Sequence, residues 1–330
     1  LHLSPPNDSL RRCGGGVMSR PRDQHDLPAG ASGTLAVHGA AIAARPRLAD
    51  FAELAKLRIS SLVLVVTAIG FGLGAPESVS ISGITATRSG VFFVAAAANT
   101  LNQLMEREFD RLMPRTMDRP IASGRVSPNE ALVMGLASGL IGVILLSFTT
   151  NLLATLLAVA TILLYLFAYT PLKRRTVHNT LIGAVPGALP PLIGYAAAAN
   201  TLGADAWFLF AILFAWQLPH FFAIAWMYRE DYRLGGYRML SVVDPSGRST
   251  RVQSILYTMV LIGVTLMPAI VGRAGLFYAC GAAMLGLGFL VATIRMARNL
   301  TRATARSTLL ASVVYLPLLL GLLLIDRLGG

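Results

Sequence analysis

The sequence predicts an all-α, polytopic membrane protein with nine transmembrane helices around a central cavity open to the cytoplasmic side. Three observations lead there. Of 330 residues, 55% are hydrophobic and 13% charged, with a mean hydropathy of +0.63, which is too apolar for a soluble domain of this length. Beyond the first 47 residues, apolar runs follow one another across short polar breaks, each approaching the roughly 20 residues that a bilayer requires. None of them alternates with the period of two that a membrane barrel shows. Finally, the lysines and arginines segregate by loop, as a fixed orientation in a membrane demands.

The chain divides into a disordered basic N-terminal tail, 1–47, and a transmembrane domain, 48–330. The tail is rich in Gly, Pro, Ser, Ala and Arg and has no apolar run long enough for a signal peptide. Asp8, Asp23 and Asp26 suit a mitochondrial presequence poorly, which favours a bacterial inner membrane over a mitochondrial one. Met18 is a candidate start. The nine spans are expected at 51–74, 90–106, 130–148, 152–169, 179–199, 206–227, 254–272, 276–295 and 307–324, the second being short. With this count, 25 of the 28 Lys and Arg fall on one side. Only Arg88, Arg273 and Arg327 remain for the other. The positive-inside rule then makes the N-terminus cytoplasmic and places the C-terminus outside. The net charge of +12 is thereby accounted for at helix ends, and no nucleic-acid partner is expected.

The second span ends in the stretch from Asn99 to Val126, where Asn102, Glu106 and Asp110 stand four residues apart. At about 100° per residue they share one helix face. Two carboxylates and an amide at a membrane boundary suit a hard cation such as Mg²⁺ held against a phosphorylated substrate. Charged residues at a helix end also mark the boundary for no chemical purpose, so the spacing alone leaves both readings open.

Four spans later comes a second polar cluster, Trp216 to Leu240, on the same side. His220 and Asp231 are eleven residues apart, which predicts one helix face with the imidazole deeper and the acid at the water edge. An ionisable residue inside a span faces a cavity or a partner, and His220 reads either as a site residue or as a hydrogen-bonder between helices. Pro219 before it frees a backbone carbonyl and predicts a kink. Between the clusters, Lys173 and Arg174 are placed to meet phosphate at the membrane surface, where positive-inside charge is the alternative. Gly183, Gly187, Gly194 and three prolines predict a span that packs closely and bends. Cys13 and Cys280 give no disulfide framework, and no Walker loop, dinucleotide fingerprint or zinc spacing is present.

Taken together, the Asn102, Glu106, Asp110 helix followed by RTMDRPIASGRVSP, the YTPLKR stretch with Asn179, and WQLPHFFAIAWMYREDY resemble the heme O synthase (protoheme IX farnesyltransferase) family of UbiA-type intramembrane prenyltransferases. The resemblance covers about residues 48–325. It implies transfer of the farnesyl group of farnesyl diphosphate to the 2-vinyl group of heme B, with water addition, giving heme O. It further implies Mg²⁺ as cofactor, membrane lipid as surroundings and a downstream heme A synthase. Carried to matching positions, Asn102, Glu106, Asp110 and Asp231 become the Mg²⁺–diphosphate motifs. Lys173, Arg174, Arg115 and Arg119 become supplementary diphosphate donors, and Tyr169, Asn179 and Trp216 further substrate contacts. His220 is expected to contact heme as iron ligand or proton acceptor. Two departures stand out. Glu106 replaces the commoner Asp, and Met227 takes the place of an upstream Asp in the second motif, where Glu230 is a possible substitute. The rival readings are a prenyltransferase acting on a quinone-precursor ring and a small-molecule transporter; against the latter, the acids gather at one face instead of the midplane.

Overall fold

A computed structural model describes residues 47–75 and 79–329, so all but the last residue of the expected disordered tail lies outside the described residues. Among the described residues there is no strand, and nine helices are long and apolar enough to cross a membrane.

A short helix, α1 (Arg47–Leu54), packs Phe51 and Leu54 against Ile121, Val126 and Ala131 and ends where Lys56 adopts a left-handed φ of 49°. The expected first span is thus broken, and its membrane part is α2 (Leu57–Gly74). The second span is not short. Helix α3 (Ile81–Asp110) has 30 residues, starting under a Ser80 cap that accepts from Gly83 N at 3.1 Å. Its first turns read as polar, yet Thr85, Thr87 and Ser89 donate their hydroxyls to carbonyls four residues back, at 2.7 to 2.9 Å, and so satisfy themselves within the helix.

After a loop at 111–126 comes α4 (Pro128–Thr149), started by a reciprocal Ser127–Glu130 capping box. Helix α5 (Leu152–Leu163) continues into a π-helical turn (Leu164–Tyr169) and the short α6 (Thr170–Leu172). The fifth span divides into α7 (Asn179–Ala188) and α8 (Pro190–Ala199), because Pro190 and Pro191 contribute no N–H to the ladder. The expected close packing is observed. A Cβ on Gly194 would stand 1.9 Å from Thr67 O, so α8 lies directly on the backbone of α2.

Helix α9 (Ala204–Met227) passes through Pro219 and is followed by α10 (Arg229–Leu234) and α11 (Leu240–Val243). The chain closes with α12 (Arg248–Ile270), α13 (Leu276–Arg298) and α14 (Arg302–Gly329). The largest apolar core joins α2, α9 and the last three helices around the fully buried Tyr278, Phe289 and Tyr315. Phe148, Ile270 and Leu276 face outward at 73 to 86% exposure, as side chains meeting lipid do. At one end of the bundle the loops after α3, α6 and α9 touch one another, since Arg238 N bonds Lys173 O at 2.9 Å and Arg115 N bonds Asp231 at 3.2 Å. At the other end Asp205 pairs with Arg273 and Arg327, two of the three cations expected on that side.

Candidate active site

The last turns of α3 bring Asn102, Glu106 and Asp110 onto one face, and all three are at most 5% exposed. Mere boundary markers would point into water, whereas these side chains are enclosed and individually held. Asn102 donates its amide to Thr170 Oγ1 at 2.9 Å. Glu106 Oε1 accepts from Lys173 Nζ at 2.8 Å, and both oxygens of Asp110 accept from Arg119 Nη1, at 2.8 and 2.7 Å. A buried carboxylate without such a partner would be costly. Burial works to lower the Lys173 ammonium, but the charge and hydrogen bond of Glu106 together with Tyr165 and Tyr232 outweigh it, so the lysine is held above its ordinary value.

The π-helical turn explains how Lys173, the residue just after α6, reaches this face. The N–H of Thr170 reaches back five residues to Tyr165 O, so the chain gains a residue in the turn and the residues after it are re-aimed. Thr170 Oγ1 also donates to Tyr165 O at 2.8 Å while accepting from Asn102. The Tyr169 ring lies against Gly183, where a Cβ would stand 2.5 Å from it, and Lys173 Nζ sits 4.4 Å from the ring centroid.

The second cluster differs from its expectation. Helix α9 ends at Met227 and Tyr228 leaves helical geometry, so His220 and Asp231 do not share one continuous helix face. Asp231 instead meets the loop after α3 by accepting from Arg115 N, while the Arg115 guanidinium stacks over Tyr228 at 4.7 Å and Tyr232 at 5.6 Å. His220 turns to α14, where Nδ1 is 2.7 Å from Ser312 Oγ; the hydrogen bond between helices is real. Trp216 is buried, stacks at 4.9 Å on His220 and donates to Ser312 O at 2.8 Å. Glu230 is paired with Arg233 at the surface, and Met227 packs with Trp226 and Met296, so neither of them is turned to the α3 carboxylates.

Asn179 is fully buried and spends its amide hydrogens on Thr176 O, at 2.6 Å, and Arg238 O, at 3.0 Å, tying the two basic loops together. Arg174 lies over the Phe109 ring at 3.9 Å and lines a cavity of about 380 Å³ with Glu106, Phe109, Thr170 and Tyr237. Three residues of this region escape sequence reasoning. Thr170 and Tyr237 look like packing residues in a linear reading. Lys56 looks like one more positive charge, yet burial, then repulsion by Arg119 and Lys173, pushes it down to about 7.

Among the described residues no three His, Cys, Asp or Glu side chains form a ready-made metal cage. The oxygen donors nevertheless suit Mg²⁺, which is commonly held by one or two carboxylates together with substrate phosphates. Asn102 Oδ1 accepts no hydrogen bond from a described residue, and the buried Tyr237 hydroxyl beside Glu106 has no partner. A cation would satisfy the amide oxygen, and an oxygen-rich ligand the phenolic O–H.

The sequence profile of the UbiA prenyltransferase family matches residues 63–318. Over 289 residues the chain is 46% identical to the protoheme IX farnesyltransferase of Solibacter usitatus, covering 85% of this chain and 99% of the relative. It is 44% identical over 277 residues to that of Salinibacter ruber, covering 84% and 98%. Among solved structures, the fold resembles a digeranylgeranylglyceryl phosphate synthase with a TM-score of 0.72 at 18% identity, covering 86% of this chain and 99% of that one. It also resembles a UbiA homologue from Archaeoglobus fulgidus bound to GPP and Mg²⁺, with a TM-score of 0.61 at 13% identity, covering 83% and 99%.

Proposed function

The chain belongs to the UbiA prenyltransferase family, and from that premise we propose that it transfers the farnesyl group of farnesyl diphosphate to the 2-vinyl group of heme B. Water adds in the same reaction, giving heme O and diphosphate. The geometric observation that carries the prenyl-diphosphate half is the buried Asn102, Glu106, Asp110 face, balanced by Lys173 and Arg119 beside an open cavity. The heme half rests on relatives of that activity matched along nearly their whole length.

The allylic C–O bond breaks as negative charge develops on the leaving diphosphate. Asn102, Glu106, Asp110 and Asp231 would hold Mg²⁺, which would supply neutralisation of that charge. Lys173, Arg119, Arg115 and Arg174 add cationic donors from two loops, pre-arranged where the charge appears. The vinyl group attacks the farnesyl cation, and water adds to the carbon left positive beside the porphyrin and loses a proton. Tyr169, Trp216, Phe221 and Phe222 exclude stray water before that point. Asn179 positions the Lys173 and Arg238 loops, and His220 contacts the heme as iron ligand or as acceptor of that proton. The cavity opens to the cytoplasmic side of a bacterial inner membrane, and heme A synthase consumes the product.

Membranes containing the protein, supplied with heme B, farnesyl diphosphate and Mg²⁺, should form heme O detectable by mass, and chelation by EDTA should stop it. Folded protein that makes none, or that prenylates a quinone-precursor ring instead, would overturn the reading.

A further inference from the structure

Ser312 on α14 has a hydroxyl whose single proton decides the state of a residue on another helix. Its Oγ lies 2.6 Å from Leu309 O and 2.7 Å from His220 Nδ1. A serine hydroxyl offers one proton and two lone pairs, and a carbonyl can only accept. The proton therefore belongs to Leu309 O, since without it two lone-pair oxygens would face each other at 2.6 Å. Oγ then presents a lone pair to Nδ1, and the 2.7 Å contact is attractive only when Nδ1–H donates. A neutral imidazole protonated on Nδ1 keeps its lone pair on Nε2. Nε2 bonds no described residue and is not among the enclosed unpaired atoms, so it faces accessible space.

The ring is also held in place. Trp216, one turn before His220, lies against the imidazole at 31° and donates its indole N–H to the carbonyl of the same Ser312. Ser312 is fully buried, and one residue of α14 thus receives a bond from each of two neighbouring rings on α9. Turning the imidazole over would put a carbon where Nδ1–H now meets Oγ.

We propose that Ser312 is a positioning residue that holds His220 in the Nδ1–H tautomer and so presents Nε2 to the substrate as the basic atom. This rests on the reading of His220 as a heme contact. A free Nε2 lone pair can bind heme iron or take the proton released by the adding water; an Nε2–H can do neither.

The test uses the full-length protein labelled with ¹⁵N-histidine in lipid discs, with the His220 signals assigned by their loss in His220→Gln. The expected spectrum has Nδ1 protonated and Nε2 unprotonated. Ser312→Ala should convert it to a mixture or to the Nε2–H form, and Ser312→Thr should restore it. Ser312→Ala should also change the Soret band of bound ferric heme B and lower kcat about 10-fold, with KM for farnesyl diphosphate unchanged. Should Ser312→Ala not fold, Ser312→Cys, whose thiol is the weaker hydrogen-bonding partner, takes its place with the same expectations at smaller amplitude. An Nε2–H signal in the unmodified protein overturns the proposal, and so does a Ser312→Ala protein with an unchanged tautomer or with unchanged turnover. Failure of the underlying reading looks different: the tautomer results hold, but His220→Gln leaves both the heme spectrum and heme O formation intact.

Discussion

At the scale of single residues, the acid face is a set of matched charges whose members depend on one another. Glu106 is buried under Lys173, so Lys173→Met leaves a carboxylate enclosed without its partner. Breaking a buried pair in this way costs about 3 kcal/mol of stability, and Glu106→Gln in the same chain should recover most of it. Thermal unfolding of the two single variants and the double variant measures this, while all three should lose heme O formation. Tyr237 makes the opposite case. Its hydroxyl is buried without a partner, a state that costs about 1 kcal/mol. Tyr237→Phe should therefore unfold at the same or higher temperature and yet turn over at least about 10-fold more slowly if the hydroxyl serves a bound ligand. Equal turnover would assign it to packing alone. Asp110→Asn keeps the shape but weakens the Arg119 pair; it should lose about 100-fold or more in activity, and full activity would remove Asp110 from the metal site. The sequence spacing grouped Asn102, Glu106 and Asp110 correctly, since four-residue steps keep one helix face. It gave no sign of Tyr237 or Thr170, whose roles come from chain segments that meet only on folding.

At the scale of elements, small residues decide how close two helices come. Gly194 lets α8 lie on Thr67 of α2, and a Cβ would overlap a backbone oxygen there, which cannot move without the helix. Gly194→Ala should prevent accumulation of folded protein. Gly183 sits under the Tyr169 ring, and a side chain can shift where a backbone cannot. Gly183→Ala should fold and lose activity as the ring pushes on Lys173, a contrast that size-exclusion profiles and heme O assays on the same preparations would show. The glycines of this span were legible as close-packing positions in sequence. The break of the helix at Tyr228 was not, because nothing between Met227 and Arg229 is a glycine or proline. The extra length of α3 was hidden for a related reason. Its Thr and Ser hydroxyls look hydrophilic in a linear reading but are bonded inside the helix.

At the scale of the whole molecule, the two ends of the bundle are chemically different. One end gathers the loops carrying Arg115, Lys173 and Arg238 around the acid face, and the other holds the Asp205, Arg273, Arg327 cluster. Nine spans among the described residues predict that Arg47 and Gly329 lie on opposite sides. In a chain cleared of Cys13 and Cys280, single cysteines replacing Ser123 and Gly275 should react with an impermeant thiol reagent from opposite faces of sealed vesicles. Reaction from the same face would require a different topology. The amino-acid sequence by itself determined the helical class, the count of nine, the segregation of charge and the identity of the acid face. Those come from hydropathy, from loop charge and from a 3.6-residue period, all of them local in the chain. Only the tertiary structure decided that Asp231 meets the loop after α3 at Arg115 N, that His220 instead turns to Ser312, and that Lys173 and Arg119 pair with the buried carboxylates. Apart from Arg119 and Asp110, nine residues apart, these pairs join residues 67 or more apart in the chain, and buried charge selects its partner by proximity in space, which no short window along the chain contains.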